Sequence, residues 1–110
     1  MNWNTITEEN QLNQIKQESL DVPVVIFKHS TRCSISSMAM SRFERAWDDT
    51  KGIKPYYLDL IQYRKISNLI ADIFGVMHQS PQVIVLKAGE VVHTDSHMGI
   101  SVKDIESAVE

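Results

Sequence analysis

The stretch KHSTRCSIS, residues 28–36, holds the only cysteine of the chain, Cys33, among positive side chains and hydroxyls. Such a residue is suited to thiol–disulfide exchange, in which a thiolate attacks one sulfur of a disulfide and retains it as a mixed disulfide. A single cysteine in 110 residues cannot close a disulfide within the chain, so the exchange must use a partner's sulfur or a small thiol. Lys28, His29 and Arg32 stand close by and no acid occurs between Phe27 and Arg42, so the local charge favours a thiolate. A lone cysteine is ordinarily a small buried hydrophobe. Here Thr31, Arg32, Ser34, Ser36 and Ser37 are poor neighbours for a core site; capping a helix start would explain the serines but not the cysteine.

The elements around it define the setting. VVIF, residues 24–27, is a short β-branched and aromatic run that suits a strand buried on both faces. From Ser34 to Asp49, the positions Ile35, Met38, Ala39, Phe43, Ala46 and Trp47 recur at helical spacing and predict one apolar face, stopped by Gly52. Cys33 therefore falls at a strand-to-helix turn, where unpaired amides and the positive end of the helix dipole stabilise a thiolate. Pro55 opens a second strand, YYLDL, and Ile66, Leu69, Ile70, Ile73 and Phe74 mark a helix ended by Gly75. QVIVLKAGEVVHTD predicts a hairpin turning around Gly89. Thr7 with Glu8 and Glu9 predicts an N-terminal helix start, with Leu12, Ile15 and Leu20 as its stripe. Ser101 and Asp104 predict the capped start of a last helix carrying Val102, Ile105 and Val109. The order helix, β-α-β, helix, hairpin, helix implies an α/β fold: a mixed four-stranded sheet, with a right-handed parallel crossover and an antiparallel hairpin, covered by helices on both faces.

Composition narrows the function classes. A chain of 110 residues that is 43% hydrophobic, without repeats or Pro/Gly-rich linkers, is expected to form one domain over residues 1–110. A net charge of −3 speaks against general nucleic-acid binding. The polar, acidic N-terminus lacks the pattern of a secretory signal, no segment approaches the ~20 apolar residues of a membrane span, and one cysteine fits a reducing compartment; a cytoplasmic protein without membrane partners is expected. His29 with Cys33 and His93 with His97 are each four apart, but a metal site needs three or four converging ligands, so no metal site is expected. Trp3 and Trp47 with Tyr56, Tyr57 and Tyr63 read as core and surface aromatics rather than a stacking platform. Asp59, at a strand end, reads as a capping carboxylate ahead of a proton acceptor for the cysteine.

The strand VVIF, the turn HSTRCSIS and the following helix resemble the thioredoxin superfamily, with Cys33 and Ser36 at the two positions of a Cys-x-x-Cys motif. SPQVIVL resembles the stretch where that superfamily places a cis-proline beside the active-site cysteine, which puts Pro81 in that position. Within the superfamily, TRCSIS is similar to the Thr-x-Cys-Pro-Ile-Ser motif of the monothiol bacilliredoxins: Thr31, Cys33, Ile35 and Ser36 match and Ser34 replaces the proline. The resemblance spans roughly Thr7 to Val109. It implies a thiol–disulfide oxidoreductase that removes bacillithiol from oxidised client proteins, with bacillithiol as co-substrate, no bound cofactor, and Cys33 attacking and carrying the cap. It further implies supporting roles for Lys28 or Arg32, pairing with the malate carboxylates of bacillithiol, and for the Ser80 backbone beside Pro81, bonding an extended substrate. Two other readings stand beside it: a glutaredoxin-like iron–sulfur carrier, whose glycine and phenylalanine after the cysteine are replaced here by SIS, and a non-catalytic binding module.

Overall fold

A computed structural model describes residues 1–110. Its elements are β1 (Asn4–Thr5), α1 (Gln11–Glu18), β2 (Val24–His29), α2 (Ser34–Ala46), β3 (Lys54–Asp59), α3 (Arg64–Phe74), β4 (Gln82–Lys87), β5 (Glu90–Ser96) and α4 (Val102–Ala108). They form a mixed sheet in the order β1-β3-β2-β4-β5, with β2 parallel to β3 and antiparallel to β4. The class is the expected α/β sandwich of helices around a sheet, but the sheet has five strands instead of four. The additional strand pairs Asn4 with Tyr56 and Thr5 with Tyr57, and the Ile6 amide donates to the Tyr57 carbonyl at 2.9 Å. Two polar residues held through their backbones leave no periodic signal in a sequence.

The first helix also differs from expectation. Thr7 does not cap it: the Gln11 side chain accepts from the Thr7 and Glu8 amides at 2.7 and 2.9 Å and donates to the Thr5 carbonyl at 3.1 Å. That clasp organises the entry segment, and the helix starts only at Gln11. Leu20 lies beyond its end, exposed.

β2 is the central strand and every residue of it is buried. Val24 and Ile26 point into a core shared with Leu12, Ile15, Leu58, Ile66, Ile70, Ile84 and Leu86, beneath α1 and α3. Val25 and Phe27 point into the other core, with Ala39, Phe43, Val83, Val85, Val102 and Ile105, beneath α2 and α4. The two-residue period of a strand fixes this partition. The hairpin follows the sequence pattern: Ala88 and Gly89 both have positive φ, 55° and 81°, the conformation of a two-residue primed turn.

The strand runs two residues past VVIF, and this overturns one expectation. Lys28 pairs with Leu58 and Gln82 across the sheet, so its side chain is carried to the α3 face, 0% exposed, and away from α2. It is not a surface cation beside Cys33, free to meet a carboxylate. Its ammonium donates to the Ser67 carbonyl at 3.0 Å and lies 3.3 Å from His78 Nδ1. Burial pushes its pKa from 10.5 down to about 8.

Between these two values the unfolded chain binds a proton at Lys28 that the folded chain does not, so stability rises with pH through the window. The unfolding free energy of the wild type, measured in urea against that of Lys28→Met, should therefore gain roughly 3 kcal/mol between pH 8 and pH 10.5. A difference independent of pH would contradict the buried, destabilised ammonium.

Candidate active site

Cys33 is the N-cap of α2, with extended backbone (φ −113°, ψ 121°) and a half-buried side chain. The chain leaves β2, makes a turn closed by the Cys33 amide donating to the Ser30 carbonyl at 3.2 Å, and enters the helix with the Ser37 amide donating to the Cys33 carbonyl at 3.0 Å. The amides of Ser34, Ile35 and Ser36 find no acceptor in the chain. These are the orphan donors of a helix start, and an N-cap side chain is the group that ordinarily receives them. The sulfur itself makes no cap bond. Ser34, where the bacilliredoxin motif has proline, adds one amide to that set.

Ser36 is 0% exposed and belongs to the support of the turn. Its hydroxyl accepts from the Ser30 amide at 3.0 Å and lies 2.7 Å from His29 Nδ1. It thus ties the end of β2 to the first turn of α2, the segment that Cys33 crosses. His29 is buried beside Phe27 and Tyr57. Desolvation outweighs the pull of Asp59 and Glu44 and lowers its pKa, so it is a neutral partner of Ser36 and not a cation near the sulfur. Of the positive groups expected around Cys33, Arg32 stays exposed next to it and Thr31 is exposed too.

Pro81 precedes β4, whose Gln82 is opposite Lys28, so the Ser80–Pro81 peptide sits at the same end of the sheet as the exit of β2 toward Cys33. That peptide is cis. The Pro81 carbonyl accepts from the His97 amide at 3.0 Å, whereas the Ser80 N–H and C=O have no partner in the chain. Asp59 Oδ1 accepts from the amides of Ile61 and Gln62 at 3.0 and 3.3 Å and serves as the cap of its turn.

The structure changes the reading of α2 in one further respect. Ile35 and Met38, counted into its apolar face, are 47% and 60% exposed, and Ser36 takes the inward place. Met38 and the exposed Met98 border a groove of about 420 Å³ that also contains Arg42 and Arg45. Arg42 donates to the carbonyls of Met98 and Ile100 at 2.7 and 3.0 Å and fixes that border. The helical spacing of Ile35 and Met38 was visible in the sequence; a helix whose start is apolar outside and hydroxylic inside was not. Trp3 stacks on Phe43 and meets Phe27 edge-on, and Trp47 stacks on Phe43, closing the core beneath α2.

Ser36→Ala leaves the buried Ser30 amide without an acceptor, and it should lower the unfolding free energy by about 1–3 kcal/mol in urea, while the exposed Ser34→Ala stays within about 0.5 kcal/mol of wild type. Equal effects of the two substitutions would refute the bracing role of Ser36.

Comparison with known proteins agrees with this geometry. A solved protein with a thioredoxin fold matches with a TM-score of 0.82 and 31% identity, covering 94% of this chain and 90% of that one. The Malassezia sympodialis thioredoxin (TM-score 0.71, 20% identity, 97% of this chain and 87% of that chain) and spinach chloroplast thioredoxin F (TM-score 0.73, 18% identity, 96% and 91%) share the fold. The family model of the monothiol bacilliredoxin BrxC matches residues 4–105. With its one cysteine at the thioredoxin-type turn, the chain belongs to the monothiol bacilliredoxin family and has a thiol redox role.

Proposed function

We propose that the protein is a monothiol thiol–disulfide oxidoreductase that removes bacillithiol from mixed disulfides on oxidised proteins. The observation that carries this reading is Cys33 at the N-cap of α2, half-exposed, with three unpaired amides behind it. The unpaired amides lie at the positive end of the α2 dipole, where an attacking sulfur and the negative charge of exchange meet N–H donors. The Cys33 thiolate attacks the bacillithiol sulfur of the client's mixed disulfide. A new sulfur–sulfur bond forms between Cys33 and bacillithiol, the old one breaks, and the client sulfur leaves as a thiolate that takes a proton from water. No net oxidation occurs in this step. Ser36 offers no second sulfur and its hydroxyl is engaged inside, so the adduct waits for another small thiol or a reducing enzyme.

The surroundings suit such a substrate. Arg32 supplies the exposed cation for the bacillithiol carboxylates, a contact worth about 1 kcal/mol or less at a solvated surface. Thr31 and Ser34 lie exposed on either side of Cys33 in the turn as further polar contacts. The free backbone groups of Ser80, next to Pro81, offer an extended substrate a strand-like pair of hydrogen bonds. Ile35, Met38 and Met98 give the client's apolar surface a place to rest, methionine being adaptable to many partners.

Incubation with bacillithiol disulfide followed by intact-mass measurement should add one bacillithiol to the wild type and none to Cys33→Ala. Glutathione and coenzyme A disulfides, run side by side, should react more slowly. An unmodified wild type, or preference for glutathione, would reject the assignment of the small thiol.

A further inference from the structure

On the face of the sheet opposite α2, three polar groups meet: Lys28 of β2, Ser67 of α3 and His78 of the segment leading to Pro81. Lysine is almost never wholly buried without an acid, yet Lys28 is 0% exposed and no carboxylate contacts it. Its neighbours across the sheet, Leu58 and Gln82, are uncharged, and the charged group of α3 that faces the cluster is Arg64, another cation. A methionine would fill the same space without the desolvation cost. What an ammonium adds is direction. One N–H goes to the Ser67 carbonyl at 3.0 Å and another lies 3.3 Å from His78 Nδ1, with the Ser67 hydroxyl 3.5 Å from that nitrogen. Gln82, the register partner of Lys28, holds the residues on either side: its Nε2 donates to the Met77 carbonyl at 2.9 Å and its Oε1 accepts from the Gln79 amide at 3.3 Å. Met77, His78 and Gln79 are thus pinned from beneath by one facing pair of strand residues, and the next two residues are Ser80 and Pro81.

We propose that Lys28 is a positioning residue for substrate binding, acting through His78 to hold the 77–81 segment at the height where the Ser80 backbone meets a mixed disulfide. The inference rests on the functional reading above for its substrate. The contact requires His78 neutral, with Nδ1 as acceptor and the proton on Nε2. Desolvation, Lys28 and Arg64 all lower the His78 pKa, so this form holds at neutral pH. Lys28 on β2 and Gln82 on β4 therefore join this central strand pair to the irregular segment, giving it the rigidity of the sheet.

The test compares wild type with Lys28→Met in two reactions and one spectrum. The second-order rate with bacillithiol disulfide should fall about tenfold, while alkylation of Cys33 by iodoacetamide, which needs no backbone docking, keeps the wild-type rate. In nitrogen-15 spectra, His78 of the wild type should show a fixed tautomer and a titration midpoint below the ordinary histidine range. In Lys28→Met the tautomer signals should converge and the midpoint should rise. His78→Leu should repeat the kinetic loss and His78→Gln, which restores an acceptor for Lys28, should recover most of it; this pair decides the matter if Lys28→Met does not fold. Equal rates with bacillithiol disulfide for wild type and Lys28→Met, a parallel fall in both reactions, or equal behaviour of the two His78 variants would overturn the proposal. A wild type that ignores bacillithiol disulfide would reject the functional reading, and the imidazole spectra would then decide the positioning role alone.

Discussion

The arrangement depends on β2 being covered on both faces. A strand in that place must send alternate side chains into two separate cores, and its neighbours on both edges fix how far it extends. Val25 and Phe27 secure α2 from below, Val24 and Ile26 secure α3, and the last two residues follow the same alternation although they are polar. His29 is placed under the cysteine turn and Lys28 under the segment before Pro81. The two chain segments at this end of the sheet, one entering α2 and one entering β4, are therefore each braced by a buried polar residue from the same strand.

This bracing separates the roles of two residues that share a motif. Cys33 is left half-exposed with unpaired amides behind it, while Ser36, one turn on, is turned inward and fully engaged. A hydroxyl at that position gives mechanical support but no second thiol, so the chain by itself has no group to resolve a mixed disulfide on Cys33. The external face of the same helix turn is apolar, with Ile35 and Met38 in solvent. A buried hydroxyl and exposed hydrophobes reverse the usual partition.

Elements with local signals were legible in the sequence. Gly75 ends α3 with a positive φ of 65°, Ser101 accepts from the Asp104 amide at the start of α4, and Ala88–Gly89 turns the hairpin. The cysteine turn was legible for the same reason, since an apolar run, a hydroxyl cluster and a helical period follow one another directly. The failures have a common physical origin, tertiary pairing that overrides local character. Lys28 and His29 read as the end of a strand because charged and titratable residues rarely continue one, yet backbone pairing with β3 and β4 carries the strand through them. β1 consists of two polar residues that gain their place only from the edge of β3. The His78 contact links residues fifty apart and has no sequence signature at all.

The central claim is that one sulfur, Cys33, takes bacillithiol directly from a client. A rapid-quench experiment with an equimolar client carrying bacillithiol at a single cysteine, followed by intact mass on both proteins, tests it. The account predicts that the free client and the Cys33–bacillithiol adduct appear together, one for one and with the same rate constant. A client freed without any adduct on Cys33, or a cap that stays in place, would contradict it.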